Sequence, residues 1–131
     1  MKVIACILAS LIFSTSAYSN SDEYRSAYAR SVREHYDPPL DLGSITLTDV
    51  FYAKEVRAIA YTYIGKPNRS LVKTNAVTVW RNKDGESLRK LGFKDMIYAY
   101  GYKSEEYGLF SVAENKWYSG ITAYCIAHGI K

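Results

Sequence analysis

Cysteine is nearly absent, with Cys6 and Cys125 alone in 131 residues. Cys6 falls in a segment that reads as a leader, so the mature chain keeps Cys125 only. No intramolecular disulfide is then possible, and the fold must stand on its core. A lone cysteine in an exported chain is either buried and inert or bonded to another chain. The apolar neighbours in "ITAYCIA" favour burial. Histidine is as scarce, with His35 and His128 in no H-x-x-x-H or H-E-x-x-H pattern. The set spacing of cysteine and histidine ligands that zinc requires is missing. So are the P-loop and the G-x-S-x-G elbow. No cofactor and no metal is expected. Asp22-Glu23 and Glu105-Glu106 are adjacent carboxylates. A glycosidase pair must face its partner across a substrate, so these read as a helix-dipole match and a solvated turn.

Long apolar runs are lacking too. The longest, Val3 to Phe13, has 11 residues, where a membrane span needs roughly 20. It follows a basic start, Met1-Lys2, and precedes the small residues of "STSAYSN". This is the layout of a secretory signal peptide, with cleavage after Ala17 or Ser19. The expectation is a signal peptide over 1–19 and one domain over 20–131. The domain would be periplasmic or secreted, without an integral membrane span. Runs of basic residues are missing as well. Lys and Arg number 17 against 13 Asp and Glu, a formal charge of +4, and they are scattered. That argues against a nucleic-acid arm. It suits contact with an acidic protein, an anionic lipid face or a cell-wall polymer, and equally suits solubility alone.

Local patterns divide the remainder. Tyr24, Ala27, Tyr28, Ser31, Val32 and Tyr36 recur at helical steps, Ser21 is placed as N-cap, and Asp37-Pro38-Pro39 is a stop. Arg25, Arg30 and Arg33 are assigned to the wet side of that helix. Residues 45–52 and 56–64 alternate as strands joined tightly through "AKE", which predicts an antiparallel hairpin. Residues 70–81 fit a helical stripe, although "VTVW" alone fits a strand. Asp84-Gly85 reads as a break, and "ESLRKLG" as a short helical turn. Residues 94–102 and 107–113 are two further strands. Trp117, Ile121, Tyr124, Cys125 and His128 have helical spacing, weakened by Gly120, so a last strand is the alternative. The expected fold is α+β: an antiparallel sheet of about four strands, in two hairpins, with helices packed on one face.

Tyrosine is plentiful, with 13 in the chain, and it is written twice in one phrase, "AIAYTYIGK" and "MIYAYGYKS". Side chains alternate along a strand. Tyr61 and Tyr63 thus share a face with Ile59, and Tyr98, Tyr100 and Tyr102 share one with Met96. The opposite faces carry Ala58, Ala60 and Thr62, and Ile97, Ala99 and Gly101. Small residues admit a close second layer, so helices are expected on the Ala/Gly face. The tyrosine face is then either a second buried layer with its hydroxyls at the rim or an open surface for a partner.

Two stretches, "PPLDLGSITLTDVFYAKEVRAIAYTY" and "SLRKLGFKDMIYAYGYKSEEYG", resemble small exported bacterial proteins. Those proteins begin with a signal and a helix and carry two Y-x-Y strands. Pro39, Asp41, Thr46, Tyr61, Tyr63, Gly92, Tyr98 and Tyr100 are the matching positions. The chain departs from them in lacking a cysteine pair. The resemblance implies an envelope location and an α+β fold, and carries no chemistry.

The leading expectation is therefore a non-catalytic module that binds a protein of the envelope or periplasm. It would be an accessory of an envelope or secretion assembly, or an inhibitor or immunity protein. Its candidate contact residues are Tyr61, Tyr63, Tyr98, Tyr100 and Tyr102, with Trp117 as an outlying anchor. A glycan or cell-wall binder using Lys66, Arg69 and Lys103 is the alternative. An enzyme of unfamiliar design using His35, His128 or Cys125 is the third.

Overall fold

A computed structural model describes residues 21–130, and the signal-peptide expectation for 1–19 lies outside them. Helix α1 (Asp22–Tyr36) starts at its expected cap, where Ser21 Oγ accepts from the Tyr24 amide at 3.0 Å. Asp22 and Glu23 open it, and Arg33 and His35 close it, as the helix dipole favours. Asp37 ends it in the left-handed region at φ 53°. A two-residue strand, β1 (Leu40–Asp41), precedes β2 (Ile45–Ala53). One 3-10 turn, Lys54–Val56, returns the chain into β3 (Ala58–Gly65). Helices α2 (Arg69–Arg81) and α3 (Lys83–Lys90) follow, parted by Asn82, with Gly85 inside α3 rather than breaking the chain. Strands β4 (Asp95–Tyr102), β5 (Glu105–Ser111) and β6 (Lys116–Tyr118) lead to α4 (Ile121–Ala127). Trp117 thus belongs to a strand, and Gly120 to the N-cap of α4.

The α+β class holds, but the sheet is a mixed one of six strands in the order β1-β2-β3-β4-β5-β6. Four neighbour pairs are antiparallel, and β3 with β4 is parallel. The two expected hairpins exist, as β2–β3 and β4–β5. They are fused along the two tyrosine phrases, with Tyr61 opposite Tyr98 and Tyr63 opposite Tyr100. A parallel pair needs a long crossover, which the α2–α3 segment supplies. The repeated phrase is the signature of neighbouring central strands that share the same two environments.

Helices lie on both faces, which corrects the expectation of one. On the tyrosine face, Ala29, Tyr28 and Val32 of α1, Ala76, Val72 and Val79 of α2 and Leu88 of α3 close over Leu47, Val50, Ile59, Met96 and Phe110. On the small-residue face α4 alone packs down, setting Tyr124 on Ala58, Ala60, Ile97 and Leu109. The small side chains there leave room for the rings of Tyr124 and Tyr118, whose centroids are 5.2 Å apart. The middle strands are buried on both sides, as parallel strands generally are.

Arg25 is the second correction. It is 2 % exposed, not on a wet face. Its Nε donates to Tyr52 Oη at 2.7 Å, and its two terminal nitrogens donate to the Leu91 carbonyl and to Asp22 Oδ1, each at 2.9 Å. A buried guanidinium is tolerable because these acceptors are supplied. Two of them lie 27 and 66 residues away, beyond the reach of helical periodicity. Among the described residues no helix is long and apolar enough to cross a membrane.

Candidate functional site

The tyrosine phrases build a ladder of rings under the helices. From Tyr36 it runs through Tyr61, Tyr98, Tyr63 and Tyr100 to Trp117, with successive centroids 6.4, 5.4, 6.1, 4.9 and 5.9 Å apart. Tyr63 and Tyr100 stack at 14°, and the other tyrosine pairs meet edge to face. Tyr100 is 4 % exposed, while Tyr61, Tyr63, Tyr98 and Trp117 are half-buried against the core. Burial holds the Tyr98 hydroxyl up at about 12 and raises those of Tyr61, Tyr63 and Tyr100 further. All four stay neutral donors through the physiological range. The parallel β3–β4 pairing brings these residues together, and α1 and α2 cover them.

Solvent reaches the same face at the far end of the sheet, where Tyr102 is 36 % exposed. Here cations and rings alternate. Lys103 Nζ lies 5.4 Å from the Tyr102 ring, and Lys66 Nζ lies 4.7 Å from Tyr102 and 5.8 Å from Tyr107. The Arg69 guanidinium lies 5.0 Å from Tyr107 and 4.7 Å from Trp117. Arg69 is fixed further by donating to the Tyr107 carbonyl at 3.0 Å. Gly108 makes the stack possible, since a Cβ there would come within 2.8 Å of an Arg69 terminal nitrogen. Each contact is worth about 0.5–1 kcal/mol at an exposed site, and together they order a row across β4, β5 and β6. The Trp117 Nε1–H at its end is enclosed and has no acceptor among the described residues. Tyr107 and Gly108 were not singled out from sequence. Their signal is slight, an aromatic and a glycine side by side opposite Tyr100 in the next strand.

The row ends where a groove begins. The groove holds about 480 Å³ between the ends of β3 and β4 and the start of α4. Its lining includes Thr62, Ile64, Ala99, Gly101 and Ile121, and it shares Tyr102 and Lys103 with the row. Ile64 is 58 % exposed. The small-residue face is thus open beyond the start of α4.

A second polar cluster sits beneath α4. Buried Asp95 receives the Met96 and Ala113 amides at 2.7 and 2.9 Å, Ser111 Oγ at 2.6 Å and Tyr124 Oη at 2.8 Å. Glu114 receives Tyr118 Oη at 2.5 Å and faces His128 Nε2 at 2.7 Å. That hydrogen bond holds the Tyr118 hydroxyl at about 12. His128 Nδ1 meets the Tyr124 carbonyl at 2.8 Å. Both ring nitrogens of His128 therefore face acceptors, and both bonds form together only when both carry hydrogen. His35 packs against Tyr36 at the end of α1, centroids 5.2 Å apart, and Cys125 is a free, half-buried thiol on α4. Among the described residues no group of three His, Cys, Asp or Glu could hold a metal ion.

No family model, curated protein or solved structure matches the chain.

Proposed function

We propose that the protein is an exported, non-catalytic binding module that docks a protein partner in the periplasm or outside the cell. The observation that carries this reading is the row of Tyr102, Tyr107 and Trp117 under Lys66, Lys103 and Arg69, opening onto an apolar groove. Large rigid rings with cations fixed on them are what interface centres favour. Tyr102 and Trp117 are the contact residues in this reading. Tyr61, Tyr63, Tyr98 and Tyr100 are the rigid layer that holds them in line. The export half of the proposal rests on the leader pattern of residues 1–19.

A protein partner is favoured over a glycan because a sugar needs an open ring face. The cations lie over these rings, and Tyr100 and Phe110 pack on Trp117 from the core at 5.9 and 5.1 Å. The module would serve as an accessory of an envelope assembly or as an inhibitor or immunity protein.

The test is a tagged pull-down from the native periplasm with the wild type and a Tyr102→Ala variant checked for native circular dichroism. The expected result is one stoichiometric protein partner that the variant loses. Retention on purified cell wall, with no protein captured, would overturn the reading.

A further inference from the structure

We propose that the row of cations on rings recognises a carboxylate-rich segment of the partner protein, whose apolar side chain enters the neighbouring groove. This rests on the binding-module reading and adds the chemistry of what is bound.

Charge that is left uncompensated is the first argument. The ion pairs of the described residues join Arg25 to Asp22, Arg33 to Asp49, Lys90 to Glu86 and His128 to Glu114. Lys66, Arg69 and Lys103 are in none of them. Among the described residues, these three positive charges are set along one row with no carboxylate in ion-pair contact. The nearest acids of the groove are Glu105 and Glu106. Glu106 is turned toward α4 by the Thr122 amide and hydroxyl at 2.9 and 2.5 Å, and the rim then sets three cations against two carboxylates, a net positive charge.

Order is the second argument. Cations stacked on rings lose less freedom on binding than free lysines do, so less of the attraction is spent on immobilising them. Arg69 is the most constrained, between two rings, a carbonyl and the space above Gly108. A planar fork held in that way suits a bidentate carboxylate.

Shape decides among anionic partners. Bases of a single-stranded nucleic acid bind by stacking on aromatic faces, and here the cations lie over those faces. A lipid surface responds to a basic, amphipathic helix face, whereas the apolar lining here is a groove at a sheet end. A protein segment supplies carboxylates and an aliphatic side chain at fixed spacing, which matches a row and a groove that meet at Tyr102 and Lys103 around the end of the sheet.

The probe is a fluorescent peptide of repeated Glu-Glu-Leu-Ser, followed by anisotropy, with its Lys-Lys-Leu-Ser counterpart as control. Phosphatidylglycerol vesicles and oligothymidylate are the competing anions. The expected result is binding of the acidic peptide only, weakening about tenfold in a Lys66→Gln/Lys103→Gln variant and steeply with added salt. Gly108→Ala, which pushes the Arg69 head aside but keeps its charge, should weaken binding several-fold where a diffuse charge effect would leave it unchanged. Each variant is first checked for wild-type melting. Binding of vesicles or oligothymidylate in place of the peptide overturns the proposal, and so does binding of none. A periplasmic partner lost in Tyr102→Ala but held equally by Lys66→Gln/Lys103→Gln sinks the acidic-segment inference and leaves the module reading standing. A peptide bound through the lysines, with no partner protein in the periplasm, does the reverse.

Discussion

Asp95 is a carboxylate only 4 % exposed, and every group around it donates. Two amides hold one oxygen and two hydroxyls the other. Burial still outweighs these four bonds and raises its pKa above the ordinary carboxylate range. The folded chain therefore holds this proton more tightly than the unfolded chain does. The stability linked to it is fully present below the unfolded value near 3.9 and falls as pH rises through the folded value. Asp95→Asn would turn an amide N–H toward two of the donors. Urea unfolding at neutral pH should show a loss of about 1–3 kcal/mol, and the gap to wild type should be wider in acid. A gap that widens as pH rises would show that the assigned direction is wrong. Little of this was legible in the sequence. Asp95 stands between Lys94 and Met96; only the Met96 amide among its donors is local, and the others come from positions up to 29 residues away.

Helix α4 shows how an element of seven residues is kept in place. Too short to be stable alone, it is tied at its start by Glu106, at its middle by Tyr124 to Asp95, and at its end by His128 to Glu114. The Thr122 hydroxyl, and then the Thr122 amide, hold the Glu106 carboxyl below its ordinary range. That contribution has the opposite sign to Asp95. It is present above the unfolded value near 4.3 and is lost as pH falls through the folded value. Glu106→Gln should melt earlier than wild type at neutral pH and converge with it on acidification. Gly120→Ala should behave alike, because a Cβ at Gly120 would run into the Glu106 side chain. Parallel melting curves from pH 3 to 7 would remove Glu106 from this role. Elements with local punctuation were legible: Ser21, Asp37-Pro38-Pro39 and Gly129 mark ends that the structure reproduces. The terminal segment was not, because Trp117 and Tyr124 fit one helical spacing while Gly120 divides them between a strand and a helix.

At the scale of the molecule, two hairpins meet along a parallel seam. Alternation identified both tyrosine strands and grouped their side chains correctly. It could not show that the strands are neighbours, since pairing across a crossover leaves no local mark. Nor could it show which face the helices cover. That is set by volume: the larger layer of rings fills the space under three helices, while the alanines opposite accept one ring from α4.

The ladder that crosses this seam also governs how the protein handles light. Tyrosine emission overlaps tryptophan absorption, and rings in van der Waals range pass excitation on far faster than they emit it. Energy absorbed anywhere between Tyr36 and Tyr100 should drain to Trp117, so that the folded chain glows as tryptophan even when its tyrosines are excited. Unfolding should release a separate tyrosine band at shorter wavelength. Trp117→Phe should release part of that band without unfolding, since Trp80, on α2 under Arg89, packs on the same core and stays as the second acceptor. If the tyrosine-excited emission of the folded variant matches that of the wild type, the ladder does not drain to Trp117. If the band appears, the seam between the two halves of the sheet carries its own built-in optical gauge of closure.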